Sequence, residues 1–312
     1  MKLWGNFMKK VCFILVVIVL IGVIGSLGYA TNYLFNYAVV SGEKDFLDKP
    51  NKEKQKKEWD FSKGKTNKTE IESNDGLTLR TTWVNQTKKT NKVVIAAHGY
   101  MQSAEKMGAY TKIFYDLGFD VLVPDNRAHG KSEGKYVGFG WLDRLDYLRW
   151  IDEVIKKKGN DVEIVLFGES MGAAAVMMVS GEKLPPQVKV IIEDCGYASV
   201  SEELTFQLKD LFNLPAFPLI PLTSFYTKLR AGYSFYEADA VKQLQKNRLP
   251  VLFIHGDSDK FVPTSMVYEL YDATKGSKKM KVFKGSGHAE SVKDYPKEYQ
   301  ETIQKFLNEY LN

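Results

Sequence analysis

A chain of 312 residues has room for one large domain or two small ones. With 44% hydrophobic and 26% charged residues, it has the composition of an ordinary globular protein. The net charge of +5 is modest and sits largely in lysine-rich sequence near the N-terminus, which argues against a nucleic-acid partner.

Residues 11–30 carry no charge, and an apolar run of this length spans a bilayer as a helix. Lys2, Lys9 and Lys10 precede it, whereas the first lysines beyond it are Lys44 and Lys49. That asymmetry puts residues 1–10 in the cytoplasm and the rest of the chain outside a cell membrane crossed once. The alternative is a cleaved signal peptide with Gly28 and Ala30 near the cleavage site, which would make the protein secreted. The run is longer than a usual signal core, and its apolar character on every face speaks against a buried core helix. Residues 31–68 open with Tyr33, Phe35 and Tyr37, which continue the helix at the membrane surface. They then become a lysine- and glutamate-rich linker or stalk without chemistry of its own. Cys12 opens the apolar run and Cys195 lies deep in the later sequence, so no disulfide is expected; the pair also lacks metal-site spacing.

Residues 69–312 change character. Strand signals at 70–72 and 77–84 flank the hairpin turn Ser73-Asn74-Asp75-Gly76. A strand at 92–97 ends in His98-Gly99-Tyr100, followed by a helix at 104–117, a strand at 119–123 and a helix at 141–157. Further strands fall at 188–192, 251–254 and 280–283, with helices at 265–273 and 295–311. This alternation predicts an α/β domain: a mostly parallel central sheet with helices on both faces, binding its ligand at the C-terminal ends of the strands. Residues 196–240, rich in Pro, Phe, Tyr and Leu, break the pattern. They read as a helical cap insertion over the active site with an apolar inner surface, or as an ordinary helix pair at the sheet edge. Pro215, Pro218 and Pro221 exclude one long helix. Tyr197, Phe206, Phe217, Phe225 and Tyr226 belong to a pocket wall or to the core.

The chain is organised around 162–180, an apolar strand, the turn Gly168-Glu169-Ser170-Met171-Gly172 and a small-residue helix. A G-x-S-x-G turn is sharp and strained, so its serine stands clear of the sheet as a nucleophile. A serine nucleophile needs a general base, and the base needs an orienting acid. On such a sheet the order is serine, acid, histidine, and only His255 and His288 follow Ser170. His255 closes a strand and would need its acid between itself and the serine, whereas His288 sits in a glycine-rich loop after the last strand that can present a side chain above the sheet edge, so His288 is the expected base. The acid belongs in the loop 256–263, where Asp257 and Asp259 compete. His98 and His129 are read as loop-fixing residues, Asp125 and Arg127 as structurally paired, and Glu169 as turned away from the nucleophile.

The motif His255-Gly-x-x-Asp259-x-x-Val262-Pro263 resembles the acid loop of the α/β-hydrolase family. The resemblance runs from about residue 70 to the end and includes three more motifs in order: His98-Gly99-Tyr100, the turn 125–132 and the elbow at Ser170. The turn carries Ala128 where the family usually has glycine, a departure confined to loop geometry. The resemblance implies Asp259 as the acid, with Asp257 as understudy and Asp194 as a remoter substitute. It also implies an oxyanion hole from the backbone N–H groups of Tyr100 and Met171. The protein it implies is a serine hydrolase tethered outside the membrane, similar to bacterial membrane-anchored hydrolases. That hydrolase would cleave small-molecule or lipid-like esters, as a carboxylesterase or lipase does, through an acyl-enzyme and with no metal or organic cofactor. A peptidase or amide hydrolase on the same fold is the alternative, and a non-catalytic surface binding protein the third reading. Nothing in the sequence bears on oligomeric state.

Overall fold

The hairpin joins β1 (Lys65–Glu72) to β2 (Thr78–Asn85), with Glu72 opposite Thr78 and Lys65 opposite Asn85. Six further strands follow: β3 (Lys92–Ala97), β4 (Asp120–Pro124), β5 (Glu163–Glu169), β6 (Val188–Asp194), β7 (Val251–Gly256) and β8 (Lys278–Phe283). In this computed structural model, which describes residues 2–42 and 65–311, all eight form one sheet in the order β1-β2-β4-β3-β5-β6-β7-β8. Pairing is antiparallel on both sides of β2 and parallel from β4 to β8. The inner strands read as continuous apolar runs because both their faces are covered. Along β3 and β5, Val93, Ile95, Ile164 and Leu166 enter one core while Val94, Ala96, Val165 and Phe167 enter the other.

The helices are α1 (Lys2–Ala38), α2 (Gly108–Asp116), α3 (Asp143–Lys158), α4 (Met171–Val179), α5 (Val200–Phe212), α6 (Ala216–Ala231), α7 (Ala240–Leu244), α8 (Ser265–Ala273), α9 (Ser291–Asp294) and α10 (Pro296–Tyr310). Residues of α3, α4 and α8 fill the first core, and those of α2 and α10 the second. The helix expected at 104–117 divides into a 3-10 turn, Ala104–Lys106, and α2. Helix α4 is buried at every position, which its run of alanines permits.

The cap is the pair α5–α6; α7 has already returned to pack on α4 and α8. Ser199 caps α5, its hydroxyl accepting from Glu202 N at 3.2 Å, and Asn213 ends it in the left-handed region at φ +52°. Phe217 is non-helical and kinks the start of α6. Of the aromatics left between pocket and core, Tyr197 is buried, whereas Phe217 and Phe225 point to solvent at 79% and 64% exposure.

The N-terminal segment differs from a free stalk. Among the described residues, α1 is the one helix long and apolar enough to cross a membrane, over Phe7–Ala38, and it does not end at residue 30. Its last turns are docked: Phe35 and Val39 are buried in the first core, Phe35 packs edge-on against Tyr226 at 5.0 Å, and Val39 O accepts from Val137 N at 2.8 Å. The aromatic opening of the expected linker thus belongs to the folded domain, because Phe35 and Val39 have apolar partners there. Residues 65–68 already lie in β1, and 43–64, the bulk of the charged stretch, lie outside the described residues.

Candidate active site

Strand β5 turns into α4 through Ser170, which takes φ +55°, ψ −117°. A non-glycine residue rarely adopts such a backbone, and here the surroundings impose it. Ser170 N donates to Asp194 O at 2.8 Å, and Ser170 O accepts from Ala174 N at 3.0 Å. The flanking glycines are sterically required. A Cβ on Gly168 would fall 2.2 Å from Gly172 O, and one on Gly172 would fall 2.2 Å from Ala97 O.

His288, in the loop between β8 and α9, places Nε2 2.8 Å from Ser170 Oγ and Nδ1 2.7 Å from Asp259 Oδ2. An ionised carboxylate only accepts, so Nδ1 carries the proton and Nε2 is left to accept from the serine hydroxyl. Asp259 Oδ1 accepts from the N–H groups of Phe261 at 2.8 Å and Val262 at 2.9 Å, and Oδ2 takes a further contact from His255 Nε2 at 3.2 Å. Burial pushes the Asp259 carboxyl up, but the hydrogen bonds from His255 and His288 outweigh it and hold it well below the ordinary carboxylate range. For His288, burial disfavours the imidazolium. The hydrogen bond and charge of Asp259, with the charge of Glu169, outweigh this and raise it above an ordinary imidazole.

The alternatives are engaged elsewhere. Asp257 is exposed, and its Oδ1 accepts from Gly285 N at 2.5 Å, bracing the histidine loop rather than the histidine. Asp194 Oδ2 accepts from Tyr299 Oη at 2.8 Å and Tyr110 Oη at 3.3 Å, and burial pushes it up to about 6. His255 Nε2 lies 3.0 Å from the carbonyl of Val262 and must donate, so His255 braces Asp259, and the imidazole within hydrogen-bond reach of Ser170 Oγ is that of His288. His98 Nε2 accepts from Asn126 N at 2.9 Å and its Nδ1 faces Gly99 O at 2.8 Å; burial drives it down to about 3, so it is a neutral loop clamp. Arg127 pairs with Asp146 at 2.7 Å and Asp75 at 2.9 Å rather than with Asp125, whose carboxylate accepts from Ala104 N and Lys131 N. Ala128, in glycine's usual place, sits at φ +62°.

Ser170 stands where two depressions meet. The first is apolar, walled by Tyr100, Phe139 and Met171 and roofed by Leu208, Leu211 and Ile220 of the cap. The second is a cleft richer in polar side chains than the first, bordered by Gln102, Lys106, Glu169, His288 and Lys293. Tyr100 and Met171 therefore both flank the serine, and Met171 opens α4, where the helix leaves its first amides without an intrahelical acceptor. Glu169 lies at the border of this cleft beside Ser170.

Two groups of wall residues escape sequence reasoning. Leu34, Tyr37 and Ala38 of α1 line the apolar pocket, and Ala38 O accepts from Tyr100 Oη at 2.7 Å. The cluster Tyr33-Phe35-Tyr37 was their only signal. The second is Glu203 of α5, a buried acid in the same apolar wall. Its Oε1 accepts from Gln207 Nε2 at 2.8 Å, its Oε2 has no hydrogen-bond partner, and burial pushes it up to about 8.

A family model for serine aminopeptidases of the S33 type matches residues 88–208. The uncharacterized protein YqkD of Bacillus subtilis is 33% identical over 220 residues, covering 70% of this chain and 72% of that one. Among solved structures, the Pyrococcus furiosus esterase Pf2001 superposes with a TM-score of 0.66 at 22% identity, covering 88% of this chain and 100% of its own. Est1E from Butyrivibrio proteoclasticus, solved with ferulic acid bound, gives 0.62 at 22% identity over 77% of this chain and 98% of its own. The sheet order, the elbow and these matches together define an α/β hydrolase, and the chain belongs to the α/β-hydrolase superfamily.

Proposed function

We propose that the protein is a membrane-tethered serine hydrolase that cleaves esters with an apolar acyl group, with Ser170, His288 and Asp259 as its triad. The observation that carries this reading is the unbroken hydrogen-bond chain from Ser170 Oγ through His288 to Asp259, opening onto an apolar pocket. His288 Nε2 takes the hydroxyl proton as Oγ attacks the ester carbonyl, and Asp259 holds the imidazole in the required tautomer and stabilises its charge. The oxyanion is met by the backbone N–H groups of Tyr100 and Met171; one such donor is worth roughly 2.7–4 kcal/mol in other enzymes. His288 returns the proton to the leaving alcohol, and water then cleaves the acyl-enzyme by the same route. The acyl group lies in the apolar pocket and the alcohol in the second cleft. Residues 1–10 are cytoplasmic, α1 is the anchor, and the hydrolase domain with its cap lies outside the cell.

The matched family model and Glu203 support a second reading, hydrolysis of an amide with a free amine. An ammonium in the pocket needs an ionised partner, and Glu203 would be that partner; burial keeps it protonated up to about 8, which favours the ester. Comparing p-nitrophenyl esters with aminoacyl p-nitroanilides separates the two: the ester reading expects turnover of the former and little of the latter, and the reverse preference overturns it.

A further inference from the structure

The outer face of the cap carries an unusual load of exposed apolar residues. On α6, Leu222, Phe225 and Leu229 are 36%, 64% and 66% exposed, and their spacing puts them on one stripe. Phe217 at the kinked start of α6 and Leu214 in the connection from α5 extend it at 79% and 40%. A run of this kind on a soluble surface marks an interaction site.

The neighbouring helix says what covers it. Helix α1 packs on α6 at a definite height: Tyr226 Oη reaches Asn32 Oδ1 at 3.4 Å, and the Tyr226 ring meets Phe35 at 5.0 Å. Tyr226 lies between Leu222 and Leu229 on α6. Below this contact α1 is apolar and bare; Phe13 and Ile24, for instance, are 69% and 68% exposed. Aromatic residues mark its two ends, Trp4 at 77% exposure and Tyr29 at 74%, with Tyr33 one turn further at 44%. Trp4 and Tyr29 are about 37 Å apart along a helix, against a hydrocarbon core of about 30 Å, so they fall at opposite membrane interfaces. The level of Tyr29 and Tyr33 is therefore the interface on the side of the folded domain, and α6 meets α1 just there. Leu34, Tyr37 and Ala38, within about two turns of that level, already form part of the apolar pocket wall beside Ser170.

We propose that the exposed stripe of α6 lies in the headgroup–acyl boundary of the bilayer that α1 crosses, and that the apolar pocket takes the acyl chain of a lipid-like ester from that leaflet. The proposal rests on α1 as a membrane span and, for its substrate, on Ser170 as the nucleophile. The second cleft then receives the part of the amphiphile that stays in water.

The test uses the full chain in lipid nanodiscs with an NBD probe at one cysteine at a time. Three sites are compared: native Cys12, exposed on α1; Phe225→Cys in a Cys12→Ser background; and Lys297→Cys in the same background, a position whose side chain is 91% exposed on α10. Cys195 is buried and stays unlabelled. The expected result is a blue shift and quenching by nitroxide-labelled phosphatidylcholine at positions 12 and 225, and neither at 297. Quenching at 12 without quenching at 225 overturns the docking of α6 and leaves the anchor standing. No quenching at 12 overturns the anchor and the proposal with it. In a second arm, Phe225→Asp with Leu229→Asp is expected to lower kcat/KM for a long-chain ester held in the nanodisc by roughly tenfold or more, with a water-soluble short-chain ester unaffected. Equal kcat/KM values for the nanodisc ester in variant and wild type contradict the proposal, while no turnover of either ester by the wild type contradicts the triad reading instead.

Discussion

Asp259 accepts from two imidazoles and two backbone amides, and that convergence on one buried carboxylate fixes its charge. Ser170→Ala and His288→Ala should each lower kcat by on the order of 10³ or more in an ester assay. Asp259→Asn should be milder than either and clearly worse than Asp257→Asn; the opposite order assigns the acid wrongly. The raised His288 makes a second prediction. The base must be neutral to act, so kcat/KM should rise with pH through an apparent pKa above an ordinary imidazole's 6.5, and Asp259→Asn should move that limb to lower pH. A wild-type limb at or below 6.5 contradicts it. Glu203 gives a stability test. Its carboxyl holds a proton in the folded chain that the unfolded chain has lost, so its contribution to stability falls as pH rises from about 4.5 to about 8. Glu203→Gln should therefore gain in Tm on wild type across that window, by on the order of a few degrees, and a constant difference contradicts this. At this scale Ser170 and His288 were legible because glycines announce their loops. Asp259 needed the spacing of its whole motif. Glu203 was not legible, since nothing in the sequence around it separates a buried acid from Glu202 beside it, whose carboxylate meets the capping Ser199.

The inner strands were legible as elements because cover on both faces makes them apolar throughout, whereas the polar, exposed β1 was legible only at its hairpin end; the elbow was legible because two close backbone approaches demand glycine. Gly172→Ala should abolish activity or folding, since its Cβ would meet Ala97 O in a neighbouring strand. The docking of α1 was hidden for a physical reason. Phe35 and Val39 are apolar residues at the end of an apolar run, and their partners Tyr226 and Val137 lie far along the chain. Removing residues 1–40 takes away Leu34, Tyr37 and Ala38 from the pocket wall. Such a truncation should lose kcat/KM for long-chain esters more than for short ones, and a parallel loss would mean that α1 does not bear on the acyl group. The cap was legible as an interruption of the alternation, but the outward direction of Phe217 and Phe225 was not, because aromatic spacing alone does not distinguish an inner face from an outer one.

At the scale of the molecule, the apolar helix α1, a cap with an exposed apolar stripe and an apolar pocket whose wall both elements share are the features on which the proposed lipid-like substrate rests. The charge-free run 11–30 and the α/β pattern after residue 69 were enough to tell an apolar N-terminal helix from the α/β domain in the sequence. The join between them was not legible, since it depends on tertiary contacts. The central claim is that Ser170 is an activated nucleophile. The measurement that tests it most directly is fluorophosphonate labelling of the full chain in nanodiscs, so that α1 keeps its place in the pocket, beside Ser170→Ala and His288→Ala. The account predicts label on wild-type Ser170, none on Ser170→Ala and a strong loss on His288→Ala. A folded wild-type chain that takes no label, or label that persists in Ser170→Ala, would contradict it.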